Sequence, residues 1–298
     1  MPALDFGWVV QPVARPELSP SDLRDYNMEA LRSLGDRFST VWVEDHFQWN
    51  DRPTLEAFST MAYIAGASSG YSIGSLVFGQ SYRNPALLAK MAANLHYLSG
   101  GRFIMGIGAG WKEDEYRAYG WPYPSASVRV GQLEDTVQIM RAMWTQSPAT
   151  YHGQYYQINQ AYCEPRPDPM IPLHIGGGGE RGTLRIVARF ADAWNFNFGT
   201  PEEMRHKLDV LRQHCEVAGR DMNTLRLTYY TVADLPDDPA RFTPRTDMHV
   251  LGPSPEDAIQ QLRPFLDLGV SHVMVRPTSL ASLRRFRDEV IPALAAAS

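Results

Sequence analysis

Leu173-His174-Ile175-Gly176, the glycine-rich Gly177-Gly178-Gly179-Glu180-Arg181-Gly182-Thr183, a helical stretch to Phe190, and Ala193-Trp194-Asn195-Phe196-Asn197 make one strand–helix–strand unit. The two apolar runs are short, and glycine or polar residues bound them, so they read as strands of a buried parallel sheet. Working outward, runs of the same kind recur at residues 5–10, 40–44, 72–78 and 103–106 on one side, and at 225–232 and 271–275 on the other. Helical patterns separate them. One opens at Ser19-Pro20-Ser21-Asp22 and stops at Gly35. Another covers 55–67, and a third runs from Asn84-Pro85 to Ser99-Gly100-Gly101. The rest cover 128–144, Thr200-Pro201-Glu202-Glu203 to Ala218, Ser254-Pro255-Glu256-Asp257 to Leu268, and 280–294. Each Ser/Thr-Pro-x-acid start joins an N-cap to a proline in the first turn.

Eight alternations in 298 residues predict an α/β protein: one TIM-type (β/α)8 barrel over residues 1–298, with insertions at its C-terminal face. A doubly wound sheet usually has fewer strands. The insertions are a long aromatic and proline-rich loop before residue 128, a small hairpin at 150–158 outside the barrel, and an irregular segment at 236–245.

Composition removes several classes of function. The net charge of −5 comes with no dense Lys/Arg block, so a nucleic-acid surface is not expected. No run reaches the roughly 18 apolar residues of a membrane span. The start, MPALDFGWVV, lacks a signal-peptide pattern. Cys163 and Cys215 form no CxxC pair, and no metal site is expected. A cytoplasmic location is expected.

In this architecture chemistry collects where strands end. Glu44-Asp45-His46-Phe47-Gln48-Trp49 follows the second strand, and an Asp-His pair there either serves proton transfer or makes a structural hydrogen bond. Tyr82 and Arg83 follow the third strand, and Arg83 reads as structural rather than ligand-binding. Gly106-Ile107-Gly108-Ala109-Gly110-Trp111 allows close approach of a flat ring or of backbone, and does not match GxGxxG. The glycine run 176–179 before a helix suits a phosphate, with Arg181 and Thr183 adding charge and a hydroxyl. The remaining histidines show no ligand spacing, and His174 reads as structural. Trp111, Trp121, Tyr123, Tyr155 and Tyr156 either wall an apolar pocket or pack the loop.

The stretch from Arg83-Asn84-Pro85 through Leu98-Ser99-Gly100-Gly101-Arg102-Phe103 to Gly110-Trp111 resembles the bacterial luciferase-like monooxygenase superfamily, as does the later one from Ile175 to Asn195. The resemblance follows nearly the whole chain in order and is thinnest between Pro236 and Gly252. It implies a TIM barrel with FMN or coenzyme F420 at the strand ends. The segment Asp45-His46-Phe47-Gln48 is similar to the deazaflavin-dependent branch, so the resemblance gives His46 a place at the reactive face, with Asp45 beside it and Trp49 in the pocket. It also implies a non-prolyl cis peptide at Ser75-Leu76, backbone contacts to the ring from Gly108, Ala109 and Gly110, and a phosphate loop of Gly177, Gly178, Gly179, Glu180, Arg181 and Thr183. Sugar-phosphate dehydrogenases of that branch carry a carboxylate just after the fourth-strand glycines. This chain has Trp111 there, so the acid role does not carry over, and a more apolar substrate is expected.

The resulting expectation is an oxidoreductase passing hydride between F420 and a small, rather apolar molecule. An FMN-dependent monooxygenase supplied by a reductase is the nearest alternative, and a non-catalytic flavin-binding barrel is an alternative of another class. A Schiff-base aldolase fits poorly, because Lys90, Lys112 and Lys207 lie in no predicted strand and not at the sixth strand's end. The expected partners are the small-molecule substrate, a flavin or F420 reductase as redox supplier, and a second copy of the chain docked through helices near the second and third strands.

Overall fold

A computed structural model describes residues 4–14 and 19–296; residues 1–3 of the stretch read against a leader lie outside them. Eight strands close a parallel barrel: β1 (Asp5–Val9), β2 (Thr40–Val43), β3 (Ser72–Ser75), β4 (Phe103–Gly108), β5 (Leu173–Gly176), β6 (Ala193–Asn197), β7 (Arg226–Ala233) and β8 (Val270–Pro277). Each pairs with the next, and β8 returns to β1 with Asp5 opposite His272 and Trp8 opposite Val275. Helices α1 (Pro20–Ser33), α2 (Ala57–Ala67) and α3 (Pro85–Leu98) follow the first three strands. Then come α4 (Glu113–Ala118), α5 (Ala126–Thr145), α6 (Thr183–Phe190), α7 (Pro201–Val217) and α8 (Pro255–Asp267). The last helical segment, expected as one piece, is Leu280–Arg285, a π turn Phe286–Val290, and Ile291–Ala295.

The capping residues work as read. Thr200 and Ser254 accept from the amides of Glu203 and Asp257, whose carboxylates reach back to the cap amides. The main core lies between barrel and helices, with Val41, Val43, Ile73, Phe103 and Ile175 facing outward onto it. A smaller apolar cluster of Val9, Trp42, Leu76, Tyr230 and Met274 fills the barrel. The hairpin Ala149–His152 with Gln157–Ala161 is a separate antiparallel pair, as expected.

Two differences bear on the site. The third strand is interrupted: β3 stops at Ser75, the non-prolyl cis peptide is Leu76-Val77, and Phe78–Gly79 resumes pairing with β4 at Ile107 and Gly108. The cis bond therefore falls one residue beyond Ser75-Leu76. Ser75 does not face the cavity, because its hydroxyl donates to the Gly106 carbonyl at 2.7 Å and accepts from the Gly106 amide at 3.0 Å. Second, β4 continues to Gly108, and its first glycine serves backbone contact: a Cβ on Gly106 would lie 1.8 Å from the Ser75 carbonyl oxygen. The long loop expected next contains the short helix α4. Among the described residues no helix is long and apolar enough to cross a membrane.

Candidate active site

A cavity of about 1180 Å³ opens at the C-terminal ends of the strands. His46, Trp49, Leu76, Trp111, Gly108 to Gly110, Gly177 to Gly179 and Thr183 line it. The expected residues from four strand ends are thus gathered in one place, with Ser75, Glu180 and Arg181 as the exceptions.

Two carboxylates hold the loop that carries His46. Asp45 accepts the Gly79 amide at 3.0 Å and both arms of the Arg83 guanidinium at 2.9 Å each. Arg83 also donates to Glu56 at 2.6 Å and lies over the Phe78 ring. Asp45 therefore fastens the β2 loop to the β3 loop and does not orient His46, which corrects its expected place in the proton chemistry. The imidazole of His46 meets α4 instead.

There Glu115 takes the role that the sequence placed on Asp45. Its Oε2 lies 3.0 Å from His46 Nδ1 and accepts the Tyr82 hydroxyl at 3.1 Å. Its Oε1 accepts the amides of Phe47 and Gln48 at 2.8 and 3.1 Å. Four partners fix this buried carboxylate, and it fixes the imidazole in turn. With Nδ1 engaged, Nε2 is the nitrogen available to the cavity. Burial works against the imidazolium, but the hydrogen bond and charge of Glu115, helped by Glu44 and Asp45, outweigh it and raise the His46 pKa. Burial works against the Glu115 carboxylate too, and His46 with the two amides more than offsets it, so its pKa is lowered. The pair thus favours a charged imidazolium beside a carboxylate. Trp111 itself brings no carboxylate, and Glu115 stands four residues later. Its signal was the acidic run Glu113-Asp114-Glu115, which suits a helix's first turn.

Trp49 and Trp111 stand edge-on to the His46 ring, with centroids 5.3 and 5.8 Å away. Lys112 Nζ sits 4.9 Å over Trp49. Trp111 is 65% exposed, so it forms a projecting apolar wall rather than core packing. Trp121 and Tyr123 pack within the α4 region, Trp121 on Phe47, Tyr82 and Tyr119, and Tyr123 on Tyr116.

At the other end, Gly177 to Gly179 lead into α6, whose N-cap Gly182 makes no side-chain capping bond. Gly177 has φ +115°, and a Cβ on Gly179 would come 2.9 Å from the Thr183 hydroxyl. This bare, positive helix start beside a hydroxyl fits a phosphate. Glu180 is turned outward to His206 and Lys207 of α7, at 3.0 and 2.5 Å. Arg181 is exposed and outside the cavity lining. Both were expected beside the glycines, and neither lines the cavity with them.

Residues 4–272 match the sequence profile of the luciferase-like monooxygenases. The chain belongs to that family. An F420-dependent glucose-6-phosphate dehydrogenase of Amycolatopsis mediterranei is 24% identical, over 94% of this chain and 96% of its own. The pyrimidine monooxygenase RutA of Escherichia coli is 30% identical, over 89% and 71%. Among solved structures, an F420-dependent secondary alcohol dehydrogenase in complex with an F420-acetone adduct superposes with TM-score 0.84 at 21% identity, over 98% and 99%. The luciferase-like relatives are thus F420-dependent oxidoreductases and monooxygenases, and the barrel is the fold they share.

Proposed function

We propose that this luciferase-like protein is an F420-dependent oxidoreductase acting on a small, rather apolar molecule. The observation that carries the reading is the His46–Glu115 pair, which presents one imidazole nitrogen to a cavity walled by Trp49 and Trp111. F420-dependent relatives support it. Gly108, Ala109, Gly110 and the Leu76-Val77 peptide would lie against the ring, and Gly177 to Gly179 with Thr183 would hold its phosphate. When bound, a deazaflavin supplies hydride transfer at a carbon and reacts poorly with oxygen.

The protein's own part is orientation and proton handling. The tryptophans bring an apolar substrate to the imidazole and keep water away. Nε2 of His46 gives a proton to a substrate oxygen or takes one from it, according to the direction of reaction. Glu115 keeps the imidazole in place and favours its charged form.

Likeness to RutA favours a second reading, an FMN-dependent monooxygenase fed by a separate reductase. Parallel fluorescence titrations of the apoprotein with F420 and FMN separate the two. Preference for F420, with no oxygen uptake during turnover, is the expected result. Preference for FMN with oxygen consumption overturns it.

A further inference from the structure

The floor of the cavity carries a charged cluster held together by hydrogen bonds of its own, none of them to His46. Glu44, directly after β2, accepts from Arg276 Nη1 at 2.5 Å on one oxygen and from the Tyr230 hydroxyl at 3.1 Å on the other. Arg276 comes from β8 and Tyr230 from β7, so three strand ends meet here. The two charged side chains are largely shielded, 22% exposed for Arg276 and 12% for Glu44, and both line the cavity. A guanidinium facing a cavity at a strand end is a ready receptor for phosphate or carboxylate, because its fork matches two oxygens. In this chain a carboxylate of the protein already occupies it.

The other cations in the lining do not replace it. Arg245 is paired with Asp247 at 2.6 Å, His46 is paired with Glu115 at 3.0 Å, Arg52 lies in the loop after β2, and no lysine is present among the described lining residues. An anion reaching Arg276 would meet the Glu44 charge at close range in a poorly solvated pocket, where like charges repel strongly. We propose that Glu44 is a specificity-determining residue: it cancels the charge of Arg276, restricts this end of the cavity to uncharged substrates and excludes phosphorylated ones. The inference rests on the proposed oxidoreductase reading only in treating the cavity as a substrate site. Selectivity of this kind comes from a repulsive group set against the wrong molecule.

Glucose 6-phosphate and glucose are compared by isothermal titration calorimetry, on protein loaded with whichever of F420 and FMN binds, or on the apoprotein if neither does. Failure of the deazaflavin reading therefore leaves this test intact. The wild type is expected to show no preference for the phosphorylated sugar. Glu44→Gln is expected to raise affinity for it by about tenfold or more, and adding Arg276→Ala is expected to remove that gain. Glu44→Ser serves as a second variant, and circular dichroism selects those that fold. A folded Glu44 variant without the gain overturns the proposal. So does a wild-type preference of about tenfold that Arg276→Ala abolishes. If neither variant folds, the wild-type comparison decides alone: absence of preference supports the proposal, and a preference of about tenfold overturns it.

Discussion

His46 is a tuned side chain, and the largest part of the upward tuning comes from Glu115. Removing the imidazole should lower kcat by about 10²–10⁴-fold, the usual contribution of a positioned proton carrier. Steady-state kinetics of His46→Ala check this, with KM expected to move far less than kcat. Glu115→Gln keeps the shape but deletes the charge that overcomes the burial of His46. The imidazole pKa should then drop, and the pH profile of turnover should shift in the acid direction. An NMR titration of the His46 ring reads this directly, and an unchanged midpoint would remove Glu115 from its assigned role. A merely structural Glu115 would alter stability without moving that midpoint.

At the scale of elements, Arg83 joins the β2 loop, the β3 loop and the start of α2. Arg83→Ala leaves Asp45, whose side chain is fully buried, without its cation. Loss of one member of such a pair typically costs about 3–5 kcal/mol, and urea unfolding should show a fall of that order. Gly106→Ala should be harmful for a different reason, since the added methyl meets the Ser75 carbonyl, which is backbone and cannot swing aside. A loss of about 1–3 kcal/mol or failure to accumulate as folded protein is expected. These elements also show what the sequence discloses. Strands, caps and the glycine cradle are local patterns, and they were legible as spacing. Asp45, His46 and Trp49 were legible as a strand-end motif, but the partner of His46 was not. Glu115 lies 69 residues away, and adjacency in the chain favoured Asp45. Glu44 was legible as the first residue of that strand-end motif, but Arg276 was not singled out, because only the closed barrel brings β2 and β8 close enough to pair them. The position of the cis peptide depends on where β3 releases its ladder, which composition does not reveal.

For the whole molecule, the barrel interior sets a limit on acid tolerance. His174, its ring tilted against Trp42 at 5.2 Å, is buried; burial and the nearby His272 push its pKa down to about 3. His272 is lowered too, burial outweighing its hydrogen bond to Asp5. Each therefore takes up a proton less readily when folded than in the unfolded chain, where the ordinary value is about 6.5. Stability is therefore fully present above that pH and falls as pH drops below it, at about 1.4 kcal/mol per pH unit for His174, until about pH 3. His46, with a raised pKa, has the opposite sign: its contribution is present at low pH and disappears as pH rises through its folded value. Urea midpoints measured from about pH 7 to about pH 4 should decline, and His174→Leu should flatten the decline; an equal slope in that variant contradicts the assignment. The short helix α4 has a separate consequence. It closes no part of the ring of strands, yet it delivers the carboxylate that governs the acidity of His46. The insertion after β4 is thus a replaceable dial mounted on a fixed frame. Exchanging only those few residues should retune the working pH of the protein while the ring of strands stays closed, and the stability should change by the part that the His46 charge supplies.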